Sequence, residues 1–291
     1  MREPASLHLG RREFGPDELV VMAIVNRTPD SFFDQGAFTD DAAALAAVDR
    51  AVDDGAQIVD LGGVKAGPGP AVDEDEEIRR TAGVVAAIRS RHPDLVISVD
   101  TWRAEVARAV CAAGADLIND AWGGPDPELA GVAASFGAGL VCSHAGGLPP
   151  RTDPHRVAYD DVVADVVATV TALADRAVAA GVRPESVLID AAHDFGKNTY
   201  HSLEVTRRLD ELVATGWPVL VAVSNKKFLG EVVDADKDNR LEATLAATAW
   251  CAQLGGRVFR AHQVAATRRV LDTVAAIRGT APPAVSRRSL A

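Results

Sequence analysis

Short runs of β-branched and aliphatic residues recur along the chain, each ending on a polar residue and followed by a longer, alanine-rich stretch. The apolar runs are VVMAIVN at 20–26, IVDLGG at 58–63, LVISVD at 95–100, LIND at 117–120, GLVCSHA at 139–145, VLID at 187–190, PVLVAVSN at 218–225 and RVFRAH at 257–262. Their length and composition predict eight strands. The stretches between them predict helices, for example over 41–54, 75–91, 103–113, 157–180, 202–214 and 240–254. Strand and helix in strict alternation imply parallel strands, because each helix returns the chain to the same end of the sheet. Eight such units close most naturally into a (β/α)8 TIM barrel, an α/β fold, as a single domain over 13–279. An open doubly wound sheet is the alternative, but no GxGxxG follows the first strand. Residues 1–12 and 280–291 show no periodicity and read as flexible tails.

Composition changes this picture little. At 291 residues the chain is long for one ordinary domain but normal for a barrel, and 48% apolar residues with only 5% aromatics describe a core built from Ala, Val, Leu and Ile. A formal charge of -11 opposes binding to nucleic acid or an anionic membrane, so an anionic ligand would need Lys and Arg gathered locally. Cys111, Cys142 and Cys251 have no CxxC spacing and are expected as buried free thiols. The first ten residues lack the apolar core of a signal peptide, and the longest purely apolar run, 19–25, is too short for a bilayer, so a cytoplasmic protein is expected.

In such a barrel the chemistry lies where strands end, because the loops there are free of the returning helices. The strand ends carry Asn26, Asp60, Asp100, Asn119 with Asp120, His144, Asp190, Asn225 with Lys226, and Arg260 with His262. One polar strand end ordinarily anchors its own loop; eight together suit a ligand. Carboxylates and carboxamides fit a heterocycle with an amide and amidine edge. Lys226 and Arg260 supply the opposite polarity for ring carbonyls or a leaving anion.

Set in order, these segments resemble the dihydropteroate synthase family. MAIVNRTPDSFFDQGAF at 22–38 looks like its opening signature, and DLGG at 60–63, SVDTW at 98–102, IND at 118–120, Ser143-His144, DFGK at 194–197, SNKKFLG at 224–230 and RAH at 260–262 follow in family order. The resemblance spans roughly residues 20 to 271. It implies the joining of 6-hydroxymethyl-7,8-dihydropterin diphosphate to 4-aminobenzoate with loss of diphosphate, assisted by Mg2+. Carried over by position, it implies a pterin site of Asp100, Asn119, Asp190 and Lys226, and a diphosphate site of Arg260 and His262. Asn26 takes the magnesium-contacting position. Asp30 and Lys226 take the catalytic ones, Asp30 as a carboxylate near the carbon that gains positive charge as diphosphate departs. Lys65, Pro68, Phe195 and Lys227 fall in the second-substrate region, for 4-aminobenzoate or a sulfone-like ligand. The family also implies a homodimer.

The second loop departs from the pattern. After DLGG the family continues Glu-Ser-Thr-Arg-Pro-Gly, whereas this chain has Val64-Lys65-Ala66-Gly67-Pro68-Gly69. Lys65 cannot reproduce the planar, two-pronged contact of an arginine. Arg27 replaces a usual Val, Asp-Pro-Gly has become Asp190-Ala191-Ala192 followed by His193, Ser-Arg-Lys has become Ser224-Asn225-Lys226, and Gln263 follows His262. Ala is not expected to copy the backbone of a glycine at positive φ. Pterin-facing residues survive better than the loop chemistry, so the expectation is a diverged paralogue with weak or absent synthase activity. An active synthase with a rearranged loop, a methyl-transfer module and a non-catalytic pterin-binding or scaffold protein are the alternatives.

Overall fold

Residues 6–26, 37–152 and 158–288 are described by the computed structural model. A short antiparallel hairpin, β1 (Leu7–Leu9) and β2 (Arg12–Phe14), comes first. The eight expected strands follow as β3 (Val20–Asn26), β4 (Ile58–Gly62), β5 (Val96–Asp100), β6 (Leu117–Asp120), β7 (Gly139–Ser143), β8 (Val187–Asp190), β9 (Val219–Val221) and β10 (Val258–Ala261). All pair in parallel, and β10 pairs with both β9 and β3, closing the barrel.

Among the described residues ten α-helices cover the outside: α1 (Ala37–Asp53), α2 (Glu74–Arg91), α3 (Ala104–Ala112), α4 (Leu129–Ser135), α5 (Val162–Ala179), α6 (Thr199–Arg207), α7 (Leu209–Val213), α8 (Lys227–Val233), α9 (Leu241–Gln253) and α10 (Val264–Arg278). Local chemistry sets several of their ends. Asp73 caps α2 by accepting from the Glu76 N–H, with four acidic residues in the first turn and Arg89 and Arg91 in the last, as the helix dipole favours. The helix expected from 157 starts instead at Val162, because Asp161 accepts from the N–H groups of Val163 and Ala164. The run expected over 202–214 is two helices, since Arg208 leaves helical geometry at φ -107 and ψ 29. No described helix is long and apolar enough to cross a membrane. All three cysteines are buried free thiols, and burial pushes each up to about 12.

Period-two alternation explains how the site is placed. Val21, Ala23, Val25, Val59, Leu61, Ile97 and Val99 face the helices, while Val20, Met22, Ile58, Val96, Leu117, Val141, Leu188, Leu220 and Val258 fill the barrel. On that inner face five strands change from apolar to polar towards their C-terminal ends: Ile58 gives way to Asp60, Val96 to Ser98 and Asp100, Leu117 to Asn119, Leu188 to Asp190, and Val258 to Arg260. Register then sets neighbours, with Asp60 level with Ser98, and Asp100 between Gly62 and Asn119.

The opposite end of the barrel corrects the expected N-terminal tail. Leu7, Leu9 and Phe14 are fully buried in the inner cluster, so residues 7–12 belong to the folded body. The reason is the same alternation: Leu7, Leu9 and Phe14 present one apolar face, which seals the barrel floor. The Ser186 hydroxyl donates to His8 O at 2.7 Å, and Leu9 lies so close to β7 that a Cβ on Gly139 would stand 2.8 Å from it. Leu9→Ala is expected to cost about 2–5 kcal/mol, the range for a truncated core leucine, measured by urea unfolding.

Candidate active site

A cavity of about 620 Å3 opens at the C-terminal ends of the strands. Its walls include Asp100, Asn119, Asp190, Lys226, Arg260 and His262, and also Lys65, Pro68, Phe195 and Lys227. Ten positions singled out in the sequence are thus brought together. Asn26 is placed by its backbone at the end of β3, and Asp30 lies outside the described residues.

An ionic floor lies beneath. Asp60 is fully buried and accepts from the Ser98 hydroxyl at 2.6 Å, the Asn119 amide at 3.1 Å and Arg260 Nε at 2.6 Å. Arg260 Nη2 also donates to Asp100 at 3.2 Å. Asp60 is therefore the acceptor that fixes Arg260 and Asn119, a role its place in a buried strand gave no means of assigning. Burial pushes the Asp100 carboxyl up to about 7, against the pull of Arg260. Burial also raises Asp190, opposed by the N–H of Ala192 at 2.8 Å and by Lys226, and it lowers Lys226. Burial alone would lower Arg260, but Asp60 and Asp100 outweigh it and raise it. His262 is lowered to about 4 by burial and by Arg260, and its Nδ1 lies 3.0 Å from the Ser224 hydroxyl.

The loop after β8 wraps a second buried charge. Lys197 Nζ donates to His144 O at 2.9 Å, Phe195 O at 3.0 Å and His144 Nδ1 at 2.7 Å, leaving His144 Nε2 to donate to Asp165 at 2.7 Å. Burial lowers Lys197 to about 7; burial and Lys197 lower His144 to about 4. Alternate residues of this loop, Ala192, Asp194 and Gly196, take φ values of 49°, 69° and 59°. Ala192 thus adopts a left-handed conformation after all, contrary to the sequence expectation, at a cost of about 1–2 kcal/mol. The converging bonds to Lys197 and Asp190 hold it there. Phe195 is turned so that Lys226 Nζ stands 4.5 Å from its ring centre. None of the Lys197, His144 and Asp165 contacts was foreseen, since their partners are far apart in the chain.

The divergent second loop is fixed by three arginines. Arg80 donates to Gly63 O at 3.0 Å, Arg103 to Val72 O at 2.8 Å, and Arg151 to Gly67 O at 3.2 Å and Pro70 O at 2.7 Å. Gly69 packs close to this anchor, since a Cβ there would stand 2.8 Å from the Arg151 guanidinium and push it aside. The loop presents Lys65 and Pro68 to the cavity, which Lys237 also lines. Lys237 sits in a single 3-10 turn, Lys237–Asn239, away from any strand end, so no sequence signal marked it. A neighbouring cavity of about 520 Å3 shares Ala66, Gly67, Pro68 and Phe195 and adds Trp122 and Phe228; the rings of Trp122 and Phe195 meet edge-on at 4.9 Å. The acidic protein therefore has a basic, partly aromatic mouth. Among the described residues no three His, Cys, Asp or Glu side chains could together hold a metal ion.

Comparison with known proteins agrees with this geometry. Residues 22–262 match the family described as pterin binding enzyme. The chain is 60% identical over 284 residues to a Mycobacterium tuberculosis protein named inactive dihydropteroate synthase 2, covering 96% of this chain and 89% of that one. It is 35% identical over 252 residues to the dihydropteroate synthase of Haemophilus influenzae, covering 86% of this chain and 91% of that one. The structure of Xanthomonas albilineans dihydropteroate synthase with 4-aminobenzoic acid superposes with a TM-score of 0.86 at 35% identity, over 97% of this chain and 99% of that one. With the closed barrel, the polar strand ends and the matched segment on the same residues, the chain belongs to the pterin-binding enzyme family as a homologue of dihydropteroate synthase.

Proposed function

We propose that the mouth of the barrel binds a dihydropterin diphosphate and that synthase turnover with 4-aminobenzoate is weak or absent. The observation that carries this reading is the uneven condition of one cavity. Asp100, Asn119, Asp190 and Lys226 converge on it, while the loop opposite offers Val64, Lys65, Ala66 and Gly67 in place of the family's acidic group, two hydroxyls and guanidinium. Asp190 accepts from the amino and ring N–H groups of the pterin, and Asn119 and Lys226 meet its other edge. Arg260 and His262 face the diphosphate. Asn26 is the residue that would hold magnesium, and the ion would supply charge neutralisation at the leaving diphosphate. Asp30 is assigned the neighbourhood of the reacting carbon. Holding two reactants in register is worth about 7–11 kcal/mol, so losing the groups that orient the second one removes turnover while sparing the first site. The Mycobacterium tuberculosis relative, named an inactive dihydropteroate synthase, supports the same outcome.

The test is calorimetric titration of each substrate, beside an assay for dihydropteroate with magnesium and pterin diphosphate saturating. Binding of the pterin without turnover is expected. Turnover on the order of 1 per second or more would overturn the impaired-enzyme reading, and failure to bind the pterin would overturn the site itself.

Two further expectations attach to this reading. Asp100, raised by burial to about 7, carries a proton below that pH and cannot then serve as a full acceptor. Pterin affinity is expected to rise as pH goes from about 6 to about 8, and this slope is expected to vanish in Asp100→Asn. A homodimer through the outer helices is also proposed, supported by Trp250 on α9, 52% exposed, and Ile277 on the adjoining α10, 79% exposed. Sedimentation is expected to show a dimer that Trp250→Glu weakens; a monomeric wild type would overturn it.

A further inference from the structure

Asp194 stands at the wall of the second cavity, immediately before Phe195. Its φ of 69° is glycine-like, and the bend aims its carboxylate at the start of α8, where Oδ2 accepts from the Lys227 N–H at 2.6 Å and Oδ1 from the Phe228 N–H at 3.3 Å. Both carboxylate oxygens are thus fixed. Asp194 is also the carboxylate that most supports the Lys226 ammonium against the effect of burial. The other buried cation on this wall, Lys197, already donates to backbone carbonyls and to His144. A second acid, Glu231, lines the same cavity and accepts from the Thr199 hydroxyl. Lys227, whose backbone N–H Asp194 already holds, lines the cavity too, and its aromatic wall is Trp122, Phe195 and Phe228.

We propose that Asp194 is a specificity-determining residue of the second compartment: its fixed carboxylate takes up the positive field of Lys226 and repels a second carboxylate, so the compartment accepts an uncharged aromatic amine and rejects a carboxylate-bearing one. The proposal rests on the reading of the first cavity as the pterin site and names the ligand class of its neighbour. Like charges a few ångströms apart in a partly desolvated site oppose each other strongly enough to change affinity by about tenfold or more. Aromatic walls supply attraction that does not depend on the ligand's charge.

The test pairs 4-aminobenzoate with 4-aminobenzamide, which differ at one group. Each is titrated calorimetrically into the full chain saturated with the pterin diphosphate, and into the free chain. The wild type is expected to bind the amide at least about tenfold more tightly than the acid. Asp194→Asn keeps an acceptor at the start of α8 and tolerates positive φ, so it removes charge with little change of shape. It is expected to abolish the preference. Asp194→Gly, suited to φ 69°, is expected to shift it the same way. Equal or tighter binding of the acid by the wild type, a preference that survives Asp194→Asn, or no binding of either compound would each overturn the proposal. Intact discrimination in a chain that fails to bind the pterin would instead overturn the pterin reading alone.

Discussion

Arg260→Met is expected to lower the free energy of unfolding by about 3–5 kcal/mol, the cost of leaving a buried charge without its partner. Arg260 answers two carboxylates at once, Asp60 at 2.6 Å and Asp100 at 3.2 Å, and Asp60 has no exposed surface. Without the guanidinium Asp100, which burial already pushes up to about 7, is expected to hold a proton in the folded state at a pH where the unfolded chain has lost it. A carboxyl raised in this way favours folding at low pH and loses that advantage as pH climbs through its folded value. The loss in Arg260→Met is therefore expected to be smaller near pH 5 and larger near pH 8, about these values being the useful ends of a urea series. Adding Asp60→Asn is expected to recover part of the loss, because the two positions are in contact and their effects do not add. An equal loss at both pH values would show that the guanidinium contributes by packing.

Asp190→Ala is expected to weaken pterin diphosphate binding by about a hundredfold or more, the scale of removing a buried acceptor that meets several donors. Asp190 is buried at the end of β8, and its Oδ1 is already held by the Ala192 N–H, which fixes its orientation before any ligand arrives. Calorimetry checks this directly. Unchanged affinity would move the ring-binding role elsewhere in the cavity. Lys65→Ala is expected to leave pterin affinity within about twofold, since that residue lies on the divergent loop, and the contrast between the two variants separates the two halves of the mouth.

The strands were readable because each carries its own local pattern: an apolar run, a polar end and a helical stretch. Polar ends at Asp100, Asn119, Asp190, Lys226 and Arg260 follow from that pattern, and the structure gathers them in one cavity. The hairpin was not readable, because strands of three residues such as Leu7–Leu9 and Arg12–Phe14 are too short to display a period, and only the barrel floor gives their apolar face a purpose. Asp60 is joined to Ser98, Asn119 and Arg260 at separations of 38, 59 and 200 residues, and no local pattern encodes such partners. Asp194 was readable as part of the DFGK segment but not as a cap on α8, which depends on a backbone angle. Ala192 shows the converse, since residue type argued against a conformation that the surrounding bonds impose.

The N-terminal hairpin has a consequence for the order of assembly. Besides nearby Val20 and Met22, it meets Gly139 and Ser186 and shares the inner cluster with Leu188, Leu220 and Val258, which lie far along the chain. During synthesis from the N-terminus, Leu7, Leu9 and Phe14 leave the ribosome long before the surface that receives them exists, and contacts so distant in sequence form slowly. Leu7, Leu9 and Phe14 are consequently among the last side chains to settle, and until the final strand pairs they remain open to chaperones and proteases.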